Sequence, residues 1–152
     1  MDLQQLEKRI SELEDREQIR NVLDQFSNTA DTKDMDKQGL LFTEDAKVNQ
    51  HFGKETNVLS GREEITKAFG DYLATVELTY HFNGQQSITF ENSEKAIVKS
   101  YCTVVQLIEK DGKRHMLTGG AHYIDCFVKK HGEWKIFVRD QYPDYLDQKE
   151  IG

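Results

Sequence analysis

Three kinds of side chain in this 152-residue sequence could do chemistry: its histidines, a few carboxylates set among apolar residues, and tyrosines in its second half. Histidine titrates near neutral pH, so it is the natural general base for removing a proton from carbon in water. Asp125 and Asp140 fall among apolar neighbours and could form an acid–base pair. The competing reading is a structural ion pair, with Lys129 within reach. Tyr80, Tyr101 and Tyr123 could donate to a developing enolate or simply pack. His51, His115 and His131 read as loop or turn residues. No His-Glu-x-x-His, Cys-x-x-Cys or facial-triad spacing occurs, so no metal and no cofactor is expected. A glycine-rich phosphate loop and a Gly-x-Ser-x-Gly elbow are also missing.

These residues must be held by an α+β scaffold. Leu3, Leu6, Ile10 and Leu13 follow three-four-three spacing, which predicts a short N-terminal helix with an apolar stripe. The stripe is either a packing face or a seam for a partner. Ile19, Val22, Leu23 and Phe26 bury one face of a further helical stretch that runs out near Asp31. A short helix is expected over 35–42 and a strand from Ala46. Ser60-Gly61-Arg62-Glu63 has the form of a helix-start box, with Ser60 as cap and Glu63 reaching back. Ile65, Ala68, Phe69 and Tyr72 give that helix its buried face.

From Tyr80 the hydrophobic period changes from helical to two. Strands are expected over 80–90, 96–109, 114–130 and 133–141, with tight reversals at Asp111-Gly112 and Gly132. Helices first and an antiparallel meander afterwards mean segregated layers. The Asp111-Gly112 turn sets Cys102 opposite Ala121 and Cys126 opposite Ile97, too far out of register for a disulfide. The Gly132 turn sets Trp134 opposite Lys129, Ile136 opposite Phe127 and Val138 opposite Asp125. One face then carries Val98, Val104, Phe127, Trp134, Ile136 and Val138, with Tyr123, Asp125 and Asp140 embedded in it. The other carries Tyr101, Val105, His122, Ile124, Cys126 and Phe137, mixed with Lys99, Lys135 and Arg139. This second face is too apolar for open solvent, so a homodimer through the outer sheet face is expected. Gly119-Gly120 inside a strand marks a bulge or a close approach.

Length and composition give one domain over 1–152, with residues 1–14 as an N-terminal helical extension. The net charge of -7, with basic residues scattered, argues against nucleic acid and anionic membrane as partners. No apolar run is long enough to span a bilayer, and the charged start MDLQQLEKRI lacks the apolar stretch of an export signal. With only two cysteines, the expected address is the cytoplasm.

A run of local motifs makes the chain resemble a known family. Asp15-Arg16-Glu17-Gln18-Ile19-Arg20 leads to Ala30-Asp31-Thr32-Lys33-Asp34. Phe42-Thr43-Glu44-Asp45-Ala46 and Gly61-Arg62-Glu63-Glu64-Ile65 follow, then Thr79-Tyr80-His81-Phe82 and Gly132-Glu133-Trp134-Lys135-Ile136. In this order they resemble the SnoaL-like branch of the nuclear-transport-factor-2-like superfamily, over nearly the whole chain. The resemblance implies a cone-shaped fold, with N-terminal helices on a strongly curved, mostly antiparallel sheet around one pocket. It also implies that Asp31 and His81 correspond to the His–Asp dyad of scytalone dehydratase and hexachlorocyclohexane dehydrochlorinase. In that dyad the His abstracts a proton and the Asp orients it. Lys129 falls where the dehydrochlorinase has an Arg, and loses its planar fork. The second His of scytalone dehydratase has no match, since His122 lies on the opposite face.

Each half of the dyad has a plainer reading. Asp31 could close a helix as a turn carboxylate. His81 could be a hydrogen-bonded sheet residue, and strict alternation places it on the face opposite Ile88 and Phe90. Only a bulge near Asn83-Gly84 returns it to the apolar side. The leading expectation is a lyase or isomerase that abstracts a proton without a cofactor from a small hydrophobic or aromatic molecule. Asp31 and His81 would be catalytic, with Lys129, Tyr123, Asp125, Tyr80 and Asp140 as substrate-binding candidates. The alternatives are a non-catalytic ligand-binding or accessory domain, and an interaction module with a filled or absent pocket.

Overall fold

The computed structural model describes all residues, Met1–Gly152. A single helix, α1 (Leu3–Thr32), runs through both apolar stretches of the N-terminal sequence without a break. Asp2 caps it by accepting from the Gln5 N–H, and Lys33 ends it in the left-handed region at φ 58°. The short α2 (Met35–Gly39) and α3 (Arg62–Leu73) complete the helical layer. Gly61 occupies the N-cap of α3 without a side-chain hydrogen bond, so the expected Ser60 box does not form. Glu64, one residue later than expected, accepts from the Ser60 N–H instead.

Six strands form one sheet: β1 (Phe42–Phe52), β2 (Glu55–Ser60), β3 (Leu78–Asn92), β4 (Lys95–Lys110), β5 (Lys113–Lys130) and β6 (Glu133–Glu150). Their spatial order is β2-β1-β6-β5-β4-β3. Only β1 and β6 are parallel neighbours; every other pair is antiparallel. The sheet therefore matches the expected α+β class. The β1–β2 hairpin was not legible in the polar run Glu55-Thr56-Asn57. His51 and His115 lie within β1 and β5 rather than in loops, whereas His131 does sit in a turn, at φ 52°.

The β4–β5 register is the expected one, with Cys102 opposite Ala121 and Cys126 opposite Ile97. Asp111 and Gly112 both take positive φ, 55° and 74°, as a two-residue hairpin of that hand requires. Both cysteines are free thiols. The β5–β6 register follows expectation as far as Ile136 opposite Phe127, then slips by one residue. Val138 pairs with Cys126 and Arg139 with Asp125. A one-residue slip exchanges the faces of everything beyond it. Arg139, expected on the outer face, is fully buried on the inner one. Asp140 and Val138, expected inside, turn to the outside.

The core lies where α1 crosses the sheet. Ile19, Val22, Leu23 and Phe26 pack against Phe42, Ala46 and Val48 of β1 and Val98, Phe127, Trp134 and Ile136 of the central strands. Trp134 donates its indole N–H to Asp15 at 2.8 Å, which pins the first turns of the packed half of α1 to this end of the sheet. Gly120 permits a close approach: a Cβ there would stand 2.1 Å from the Tyr145 ring. The β5–β6 register shifts beside it, between Gly120 and Ala121.

Candidate active site

A bulge in β3 decides which way His81 points. Asn83 pairs with Cys102 and Gln86 with Ser100, so Gly84 and Gln85 together face the single residue Tyr101. Two residues against one reset the alternation. His81 and Asn83 therefore share the inner face with Ile88 and Phe90. Asn83 also ties this segment to α1. It accepts from the Ser27 hydroxyl at 2.8 Å and donates to the Leu23 carbonyl and to Asp24 at 3.3 and 3.2 Å.

The last turns of α1 bring Asp31 to the same place. His81 Nδ1 lies 2.6 Å from Asp31 Oδ1, and the His81 backbone N–H donates to Oδ2 at 3.3 Å. A carboxylate only accepts, so the neutral tautomer that fits this contact carries its proton on Nδ1. In that tautomer the lone pair is on Nε2, which makes no hydrogen bond in the chain. The His81 side chain is 11% exposed. It forms part of the wall of a cavity of about 360 Å³.

The cavity opens between the helices α1, α2 and α3 and the strands β1, β3, β4, β5 and β6. Phe26, Ala30, Phe52, Ala68, Phe69 and Leu73 give it apolar walls. Gln38, Gln50, Gln106, Gln141, Tyr72 and Tyr123 add neutral polar groups. Most of these are already committed: Tyr72 donates to Gln106 at 2.6 Å, and Gln50 donates to Gln141 at 3.1 Å. No Lys, Arg, Asp or Glu lines the cavity. The four glutamines lie on separate elements in a sequence with no motif to join them, and they escaped the sequence reading for that reason.

Beside the cavity lies a buried ion pair. Arg139 donates to both oxygens of Asp125, at 2.8 and 2.9 Å, and both side chains are almost wholly buried. The guanidinium carbon is 4.1 Å from the Phe26 and Tyr123 ring centres, so the cation is held against two of the cavity's aromatic walls. Burial pushes the Asp125 carboxyl above its usual range, with the Arg139 charge opposing it. Burial likewise pushes the Tyr123 hydroxyl far up, keeping it a neutral phenol, and raises the Cys102 thiol to about 11.

Of the residues singled out in the sequence, His81 and Tyr123 line this cavity, and Asp31 stands behind His81, bonded to its Nδ1. Asp125 serves the Arg139 pair instead of facing a ligand. Lys129 is bound to Asp15 at 3.0 Å beside Trp134. It is on the order of 20 Å from Tyr123 at a strand's rise per residue, so it takes no part in the cavity. Tyr80 is half exposed on the outer face, edge-on to Phe82. Asp140 also lies outside, accepting from Asn49 and paired with His51 Nε2 at 2.8 Å. His51 and His122 sandwich Tyr142 there, with near-parallel rings 4.5 and 4.6 Å apart. No group of three or more His, Cys, Asp or Glu side chains converges to hold a metal ion, and no helix is long and apolar enough to cross a membrane.

Solved structures with the same fold include hexachlorocyclohexane dehydrochlorinase LinA-type3 from Novosphingobium barchaimii. It has 13% identity and a TM-score of 0.81, covering 92% of this chain and 93% of that one. A Novosphingobium aromaticivorans protein provisionally named a scytalone dehydratase has 22% identity and a TM-score of 0.77, covering 93% and 92%. An NTF2-like protein with a cystatin-like fold, also from Novosphingobium aromaticivorans, has 22% identity and a TM-score of 0.72 over 92% and 88%. At such identities the likeness establishes the fold. No curated protein matches the sequence. The model of the SnoaL-like domain matches residues 11–140, most of the chain including Asp31 and His81, and the protein belongs to that family.

Proposed function

We propose that the protein is a cofactor-free lyase or isomerase that removes a proton from carbon in a small, neutral, hydrophobic or aromatic molecule. The observation that carries this reading is the 2.6 Å contact between Asp31 and His81 Nδ1, with His81 in the wall of a largely apolar cavity. Nε2 takes the proton from a carbon made acidic by a neighbouring carbonyl or by a leaving group. Asp31 keeps the imidazole in the productive tautomer and stabilises the imidazolium that forms. The electron pair released from the C–H bond then either expels halide, or expels a hydroxyl that leaves as water with the proton returned by the imidazolium, each leaving a double bond, or it moves along a conjugated system. In the last case the imidazolium returns its proton at another carbon. Tyr123, neutral and at the cavity wall, supplies an O–H for an oxygen that gains charge. A cavity without charged lining groups favours neutral ligands, because an ion would lose its hydration unpaired.

The test uses neutral cyclic ketones, β-hydroxy ketones and alkyl halides sized to the cavity. Deuterium uptake from heavy water and loss of the leaving group are followed by NMR. Catalysed exchange or elimination is expected, falling about 10²–10⁴-fold in His81→Ala. A large part of that loss is expected in Asp31→Asn, which keeps the shape and removes the charge. Tight binding of these compounds with no exchange would instead establish the accessory ligand-binding reading. Exchange that survives His81→Ala unchanged would remove His81 from the chemistry.

A further inference from the structure

The first half of α1 carries a feature the cavity does not use. Every residue from Met1 to Glu14 is exposed. Within that stretch Leu3, Leu6, Ile10 and Leu13 are 69%, 46%, 47% and 65% exposed. At about 100° per residue their common direction is roughly half a turn from that of Ile19, Val22, Leu23 and Phe26, which bury α1 on the sheet. The domain's own side of this segment is polar: Lys8, Ser11, Glu12 and Asp15 line a cleft against Phe90. Arg16 also reaches that side, donating to the Ile88 carbonyl and lying over the Phe90 ring. The apolar stripe thus faces away from the domain, and the fold cannot cover it with its own residues.

We infer that residues 3–16 of α1 form a parallel two-stranded coiled coil with a second copy of this chain. In heptad terms Leu3 and Ile10 are a positions, and Leu6 and Leu13 are d positions. Of the two a positions Ile10 is β-branched, and a β-branched residue at a with leucine at d favours two parallel strands. The flanking charges select the same partner and the same direction. Glu7 and Glu14 occupy e, while Arg9 and Arg16 occupy g. Neither Arg9 nor Glu14 has an ion-pair partner in its own chain, the only side-chain hydrogen bond of Arg9 being a long one to the Met1 sulfur. A parallel pairing sets Arg9 against the partner's Glu14, twice by symmetry; at the frayed start of the seam it sets Asp2 against the partner's Glu7, with the Asp2 carboxylate turned to cap α1. An antiparallel pairing sets Arg against Arg and Glu against Glu. Beyond Leu13 the next a and d positions are Glu17 and Arg20, so the seam ends where α1 settles onto its own sheet. This assembly does not depend on the proposed chemistry of the cavity.

The experiment is sedimentation velocity on the full chain from micromolar to millimolar concentration. The expected result is an assembly whose mass halves in Leu6→Ser/Ile10→Ser. Arg9→Glu or Glu14→Arg alone weakens association severalfold, and the two together restore it. In a Cys126→Ser background, Leu3→Cys crosslinks two chains under mild oxidation, as only the parallel register allows. A chain that stays monomeric at every concentration overturns the inference. So does an assembly whose mass Leu6→Ser/Ile10→Ser leaves unchanged, the result expected if copies meet through the outer sheet face. Failure of the charge swap to restore association overturns the parallel pairing.

Discussion

The residue most misjudged from sequence is Arg139, and its position carries a clear energetic consequence. A buried guanidinium is tolerated because Asp125 faces it with both oxygens and two aromatic rings lie against it. Even so, one guanidinium nitrogen has no hydrogen-bond partner. Removing Asp125 leaves a cation buried and unpaired, so Asp125→Ala is expected to cost about 3–5 kcal/mol. Replacing both partners, as in Asp125→Leu/Arg139→Met, removes two charges that had to be dehydrated, and most of that stability is expected to return. Urea midpoints for the two variants check this. Equal losses in both would mean that packing volume, and not the lone charge, sets the cost. The alternation that placed Arg139 outside was sound up to Ile136, as the burial of Trp134 and Ile136 shows. It failed because the slip after Ile136 has no glycine or proline to announce it. Asp31 and His81, by contrast, were legible, because the motifs around them carry a family likeness that does not depend on register.

At the scale of elements, the site depends on irregularities more than on regular structure. A straight β3 would put either His81 or the pair Ile88 and Phe90 on the wrong face. The two-against-one bulge at Gly84 and Gln85 lets one strand serve both the cavity and the core. From sequence a bulge near Asn83-Gly84 was the only way to bring His81 inward, and it forms one residue later, at Gly84 and Gln85. Gly84 also lies close to β4, where an added Cβ would stand 3.3 Å from the Tyr101 Cβ. Deleting Gly84 restores plain alternation and forces a choice between the two halves of β3. Turning the first half of β3 gives up the hydrogen bonds of His81 and Asn83 to α1. Turning the second half gives up the packing of Ile88 and Phe90 on the core. With the core the larger loss, His81 is expected to turn outward in the deletion variant. The check is the imidazole NMR spectrum: the Nδ1–H signal shared with Asp31 should disappear while the amide spectrum stays dispersed. A folded deletion variant that keeps this signal would show that β3 can bend without its bulge. The hairpin registers read correctly for a related reason. Asp111-Gly112 and His131-Gly132 both take the positive φ values that fix a two-residue turn, and turn geometry propagates along the strands until a bulge interrupts it.

For the whole molecule, α1 is two devices on one helical rod. From Asp15 onward it is part of the domain, tied by Trp134 and Lys129 and then buried through Ile19, Val22, Leu23 and Phe26. Before Asp15 it adds little to the fold, because every side chain there is exposed and none belongs to the buried core. Removing residues 2–13 should therefore leave the intrinsic stability of the domain nearly unchanged, while ending association through the stripe. The two effects separate by mass action. A contact made only between folded chains stabilises them by an amount that grows with protein concentration. The full chain should then show a Tm that rises as concentration rises, and the chain lacking residues 2–13 a Tm that does not. At high dilution, where copies are apart, the two melting curves should converge. A truncated chain that melts well below the full chain even at high dilution would mean that the free turns of α1 support the domain directly. A full chain whose Tm is independent of concentration would place the stripe outside any folded-state contact between copies.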